Sequence, residues 1–165
     1  MAYSYGTVPD CQSRRAILEN GQQSSLILYL DPRQFASPIA DGGIGHWTTQ
    51  SGGTTNLYAS VDETLPDDTD YIKSYFSNVA DPVTLTLGAV QAPLAGPRYL
   101  RYRYGKDAAG GRRVDLTVEL MQGASSLQTW NHQDIPPGFV EVAQLITAGV
   151  SDYGSLGTRF TYQEV

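Results

Sequence analysis

One cysteine, Cys11, and two histidines, His46 and His132, are all that this chain of 165 residues offers of the side chains that most often ligate metals or act as nucleophiles and bases. A lone cysteine excludes an intramolecular disulfide and any multi-cysteine metal knuckle. Positive charge is also scarce: 11 Lys and Arg stand against 17 Asp and Glu, a formal net charge of −6. The chain therefore lacks the broad basic footprint by which proteins neutralise phosphates, and nucleic acid is not an expected partner. No run approaches the ~20 consecutive apolar residues of a membrane-spanning helix. Met1-Ala2-Tyr3-Ser4-Tyr5 lacks the charged-then-apolar order of a secretory signal. The chain reads as soluble, with no membrane partner.

What is abundant points to strands. There are 17 Gly, 9 Pro and 11 Tyr beside many Thr and Val, a usage that favours short strands joined by turns. A chain of this length forms one core-bearing domain, burying roughly two thirds of its unfolded surface. Residues 1–45 read as an N-terminal arm or anchor with a linker. Its first 24 residues are polar and turn-forming, Leu26-Ile27-Leu28-Tyr29-Leu30 is a short apolar run closed by Asp31-Pro32, and Gln34 to Gly45 shows no period. Residues 46–165 read as the main domain. Candidate strands recur there at His46 to Gln50, Asn56 to Ser60, Tyr71 to Tyr75, Pro82 to Gly88, Arg98 to Gly105, Arg112 to Met121, Leu127 to His132, Phe139 to Ile146 and Leu156 to Tyr162. That spacing predicts an all-β, antiparallel β-sandwich with an extended N-terminal arm.

Period-2 alternation is clearest on both sides of residues 105–111. Val114, Leu116, Val118 and Leu120 alternate with Asp115, Thr117 and Glu119, while Leu100, Tyr102 and Tyr104 alternate with Arg101 and Arg103. A hairpin symmetric about Ala108 sets Leu100 opposite Leu116, Tyr102 opposite Val114 and Arg101 opposite Asp115, each pair worth roughly 0.2–1 kcal/mol. Arg103 then faces Arg113. Phe139 to Val150 also fits a helical stripe, and we expect a strand through Ile146 followed by a turn or helical piece at Thr147 to Tyr153.

Candidate chemistry is sparse. His132 reads as a packing or hydrogen-bonding residue at a strand end beside Trp130, and His46, before Trp47, likewise. Asp62, Glu63, Asp67, Asp68 and Asp70 supply hard oxygen ligands but match no calcium loop, and Asp67 and Asp68 follow Pro66 as turn residues do. Gly42-Gly43-Ile44-Gly45 and Gly52-Gly53 stand outside any strand-glycine-helix context that cradles phosphate. Among the aromatics, Tyr102 and Tyr104 fall on the expected buried face and Tyr99 on the wet one. Tyr99, Trp47 and Trp130 are the candidates for stacking on sugar rings or anchoring an interface. No catalytic, cofactor-binding or metal residue is assigned, and no cofactor is expected.

Several segments, in order, resemble short β-rich proteins found among the virion genes of tailed bacteriophages. They are Trp47-Thr48-Thr49-Gln50, Asp62-Glu63-Thr64, Asp68-Thr69-Asp70-Tyr71-Ile72, Tyr102-Arg103-Tyr104-Gly105-Lys106-Asp107, Asp115-Leu116-Thr117-Val118-Glu119-Leu120, Thr129-Trp130-Asn131-His132-Gln133-Asp134-Ile135-Pro136, and Asp152-Tyr153 leading to Leu156 and Arg159-Phe160. The resemblance implies a jelly-roll-like sandwich carried on the particle as a non-enzymatic head decoration, head fibre or neck/tail accessory. The expected partners are capsid, connector or tail subunits and further copies of the chain. A carbohydrate-binding module that contacts host surface glycan is the alternative from a different class.

Overall fold

Apolar alternation translates directly into strands with one buried face. In the computed structural model, which describes residues 34–63, 67–74, 79–93, 96–107 and 112–165, nine strands follow one another. They are β1 (Pro38–Asp41), β2 (Thr48–Thr49), β3 (Ile72–Lys73), β4 (Asp81–Leu87), β5 (Arg98–Tyr104), β6 (Val114–Gln122), β7 (Ser125–His132), β8 (Val140–Ile146) and β9 (Leu156–Glu164). The chain divides into two units, residues 1–34 with 93–96 and residues 35–92 with 97–165, and the description that follows is of the second. The arm over residues 1–24, the apolar run Leu26–Leu30 and Cys11 lie outside the described residues.

A five-stranded antiparallel sheet runs in the order β1-β4-β9-β6-β7, and β2–β3 and β5–β8 form two-stranded antiparallel sheets. The architecture is all-β and compatible with a β-sandwich. Strand β9, threaded between β4 and β6, pairs with β6 from Val114↔Glu164 to Gln122↔Leu156. On the inner face Val83, Leu85, Val118 and Leu120 are all but sealed from water, each such side chain contributing ~1.5–3 kcal/mol by burial. The β5–β8 ribbon covers the β6–β7 side of this face, with Tyr102 packed on Val114, Leu116 and Val118. On the β4 side Trp47 and Leu57 pack on Val83 and Leu85, with Ile44, Tyr58, Val61 and Ile72 around them.

The expected hairpin about Ala108 does not form. Strand β5 pairs with β8, setting Leu100 opposite Gln144, Tyr102 opposite Val142 and Arg103 opposite Glu141, while β6 pairs with β7 and β9. Alternation tells which side chains face inward but not which strand lies alongside. Tyr102 does meet Val114 and Leu116, across the gap between two layers instead of along a shared edge. Arg101 accordingly pairs with Glu141 and Asp115 with Arg113. The hairpin of β6 is made with β7 through Gly123-Ala124. There Gly123, at φ 57, takes the left-handed conformation that a two-residue loop requires.

Two shorter segments also depart from expectation. Pro38–Asp41, within the stretch read as linker, is edge strand β1 on β4; four residues are too few to show a period, and an edge tolerates proline. The expected strand Asn56 to Ser60 is a 3₁₀ turn, Leu57–Ser60. Asn56 enters it left-handed at φ 55, and the Asp41 carboxylate accepts the Leu57 and Tyr58 N–H groups at 3.0 and 2.8 Å. This cap satisfies donors that would otherwise face the interior. Phe139 to Ile146 resolves as strand from Val140. The segment after it is turn, fastened by Gln128, which accepts the Thr147 and Ala148 N–H groups, and by Gln122, which accepts those of Ser151 and Asp152.

Candidate functional site

Period-2 alternation on β5 sends Tyr102 and Tyr104 inward together, towards the end of β7. There the Tyr102 hydroxyl lies 2.6 Å from His132 Nε2 and the Tyr104 hydroxyl 2.9 Å from His132 Nδ1. Burial pushes the Tyr102 hydroxyl up to about 12 and lowers the His132 imidazole below its ordinary value. A neutral ring donates from one nitrogen and accepts at the other, so both phenols are satisfied at once. The cluster ties the two layers together, and with both nitrogens engaged it acts as a hydrogen-bonding clasp at a strand end.

His46 sits at a second polar corner. Buried Asp81, 2% exposed, accepts the His46 N–H at 2.9 Å and lies 3.3 Å from His46 Nδ1. The Asp81 carboxylate also accepts the Ser74 hydroxyl, and its backbone oxygen accepts Trp47 Nε1–H at 2.9 Å. Trp47 is thus a core residue, not a stacking platform, and Trp130 is half-buried against the same inner face as Tyr102.

Within the acidic stretch, Asp67 and Asp68 are engaged. Asp67 accepts the Thr69 N–H and hydroxyl at 2.8 and 2.7 Å, which hold its carboxyl below the usual range. Asp68 pairs with Arg103. Among the described residues no three of His, Cys, Asp and Glu converge as a metal site.

Tyr99 is where its alternation places it, 57% exposed on the outer face of the β5–β8 ribbon. Directly opposite on β8 is Leu145, itself 45% exposed. Next along the ribbon Arg101 donates to Glu141 at 2.7 Å. Farther on, the Arg103 guanidinium stands 5.7 Å from the ring centre of Phe139, which meets Tyr71 edge-on at 5.5 Å. Over about 13 Å of strand the face passes from an apolar pair through an ion pair to a cation–aromatic cluster. Such a mixture of rigid aromatics and arginine is the composition of recognition surfaces.

A third feature was not legible in the sequence. Arg159 on β9 clamps Glu119 on β6 with Nε at 2.5 Å and Nη2 at 2.8 Å, and these bonds hold the Glu119 carboxyl below its usual value. The pair floors a trough of about 410 Å³ on the outer face of the five-stranded sheet. Both residues occupy ordinary wet-face positions, and only the register Glu119↔Arg159 brings them together. Among the described residues no helix is long and apolar enough to cross a membrane. Compared with known proteins, the chain matches no family model, no curated protein and no solved structure.

Proposed function

We propose that the chain is a non-enzymatic structural protein of a bacteriophage virion, a head decoration, head fibre or neck/tail accessory that anchors through its N-terminal arm and presents a jelly-roll-like sandwich. The observation that carries this reading is the outer face of β5–β8, where Tyr99 and Leu145 stand open beside paired charges. His132 and Asp81, by contrast, are engaged in bonds that hold the fold. The ordered motifs from Trp47 to Phe160 supply the virion context.

Size argues for many copies. Two seven-residue strands offer a face of roughly 230 Å², well below the ~800 Å² per partner of a stable interface. A contact this small becomes durable when symmetry repeats it, as on a particle. The test is density-gradient purification of particles with immunodetection of the chain. Co-migration that weakens on Tyr99→Ala with Leu145→Ala is expected, whereas a strict monomer that never travels with particles overturns the reading.

The exposure of Tyr99 also favours a second reading, a carbohydrate-binding module that stacks host surface glycan on that ring. Specific signals on a glycan array that vanish with Tyr99→Ala would favour it, and a blank array would favour the scaffold.

A further inference from the structure

The trough over β4, β9 and β6 has no part in either reading. Its floor is one rung of the sheet, Thr84–Arg159–Glu119, three residues facing one another across adjacent strands, with Pro82 and Thr161 on the next rung. Gly43, Gly45 and Ala80 add walls with no side chain beyond a methyl. Its volume, about 410 Å³, falls within the ~300–1,000 Å³ of small-molecule sites.

We propose that this trough binds a neutral saccharide through the Arg159–Glu119 pair and the hydroxyls of Thr84 and Thr161. Arg159 gives Nε and Nη2 to Glu119. Among the described residues no group takes the two N–H donors of its Nη1 or bonds the Thr84 and Thr161 hydroxyls. The floor therefore presents donors from the guanidinium, acceptor lone pairs from the carboxylate and two groups able to do either. Each hydroxyl of a sugar both donates and accepts, so adjacent hydroxyls match such a floor. A free anion matches it poorly, because Glu119 already neutralises Arg159 and its carboxylate stands beside the open donors. No aromatic lines the trough, which leaves selectivity to hydrogen bonds. The inference stands apart from the virion reading and from the Tyr99 face on the other sheet.

The experiment is an NMR titration of isotope-labelled full-length protein. Methyl glycosides of glucose, galactose, mannose and N-acetylglucosamine are added singly, with their linear oligosaccharides, sodium sulfate and sodium acetate in separate arms. We expect saturable shifts at the amides of Thr84, Arg159 and Thr161 with one or more neutral sugars and none with the two anions. Saturation by a monosaccharide assigns a one-ring site, and saturation by oligosaccharides alone assigns a segment of a longer glycan. Gly43→Leu provides the blocking variant, since a Cβ at Gly43 meets nothing within 4 Å and so strains nothing. It should weaken binding at least about tenfold while leaving the unfolding midpoint in place. Saturable binding of sulfate or acetate alone, sugar-induced shifts confined to Tyr99 and Leu145, or no response to any sugar each overturns the proposal.

Discussion

Two covers close the inner face of the same five-stranded sheet, and they are built on opposite principles. The β5–β8 ribbon carries its own ladder, seven paired positions from Arg98↔Ile146 to Tyr104↔Val140, and docks with a neutral clasp of Tyr102, Tyr104 and His132. Among the described residues, the cover on the β4 side, between Ile44 and Lys73, has the two pairs of β2–β3 as its ladder. Its order comes from apolar pegs, Trp47 and Leu57, and from the carboxylates of Asp81 and Asp41. A segment with little ladder of its own is ordered chiefly by what it docks against, so this cover should be the first part of the unit to open.

The sharpest way to break that asymmetry is to remove a peg. Leu57→Ala, at a site with no exposure, should cost about 2–5 kcal/mol in chemical denaturation. Amide exchange should then speed up across residues 44–61 while β5 and β8 keep their protection, and equal loss of protection in both covers would erase the distinction.

Asp81→Ala comes next. It removes the carboxylate that accepts the part-buried His46 N–H and the Ser74 hydroxyl, costing about 1–3 kcal/mol, with exchange again rising in the loop cover and not in the ribbon.

On the ribbon, His132→Phe should cost about 1 kcal/mol at neutral pH and change how stability depends on pH. Partial burial makes the folded imidazole titrate below the ordinary histidine range, so at higher pH both states are neutral and its contribution is complete. As pH falls through that range the unfolded chain takes up the proton first, and the contribution shrinks until the folded ring protonates as well. Denaturation midpoints from pH 7.5 to 5 should therefore fall in the parent and fall less in the variant. Glu119, lowered chiefly by its hydrogen bonds from Arg159, contributes above the usual carboxylate range and loses that contribution as pH drops further, so the two declines are separated in pH.

The smallest expected effect on stability is at the open face. Tyr99→Ala should shift unfolding by no more than about 0.5 kcal/mol, because the residue is more than half exposed, while it weakens the co-migration proposed above. A larger destabilisation would mean that Tyr99 belongs to the ribbon's packing and not to its surface.

The sequence carried the faces of the strands more clearly than their neighbours. Val114, Leu116, Val118 and Leu120 are inward as their alternation requires, and Tyr99 is outward. The choice of β8 over β6 as the partner of β5 is a matter of strand order, and period-2 patterning contains nothing about that. The same limit hid the Glu119–Arg159 pair and the Tyr102–His132 contact, whose members are 40 and 30 residues apart and meet only once strand order is set. His132 could be recognised as a hydrogen-bonding residue, but not its partners. At Leu57–Ser60 the deciding signal was a distant carboxylate, Asp41, which no local window includes.

That carboxylate makes β1 a mechanical coupling. The strand is four residues long, lies at the edge, and has a register irregularity between Pro38 and Ala40. A pull on the chain at Phe35 would load it before any longer strand. Once Asp41 moves, the cap on Leu57 and Tyr58 goes with it, and tension at the edge becomes release of a core peg. A tug on the chain ahead of β1 would thus be felt as loosening of the β4-side cover while the ribbon that carries Tyr99 keeps its shape.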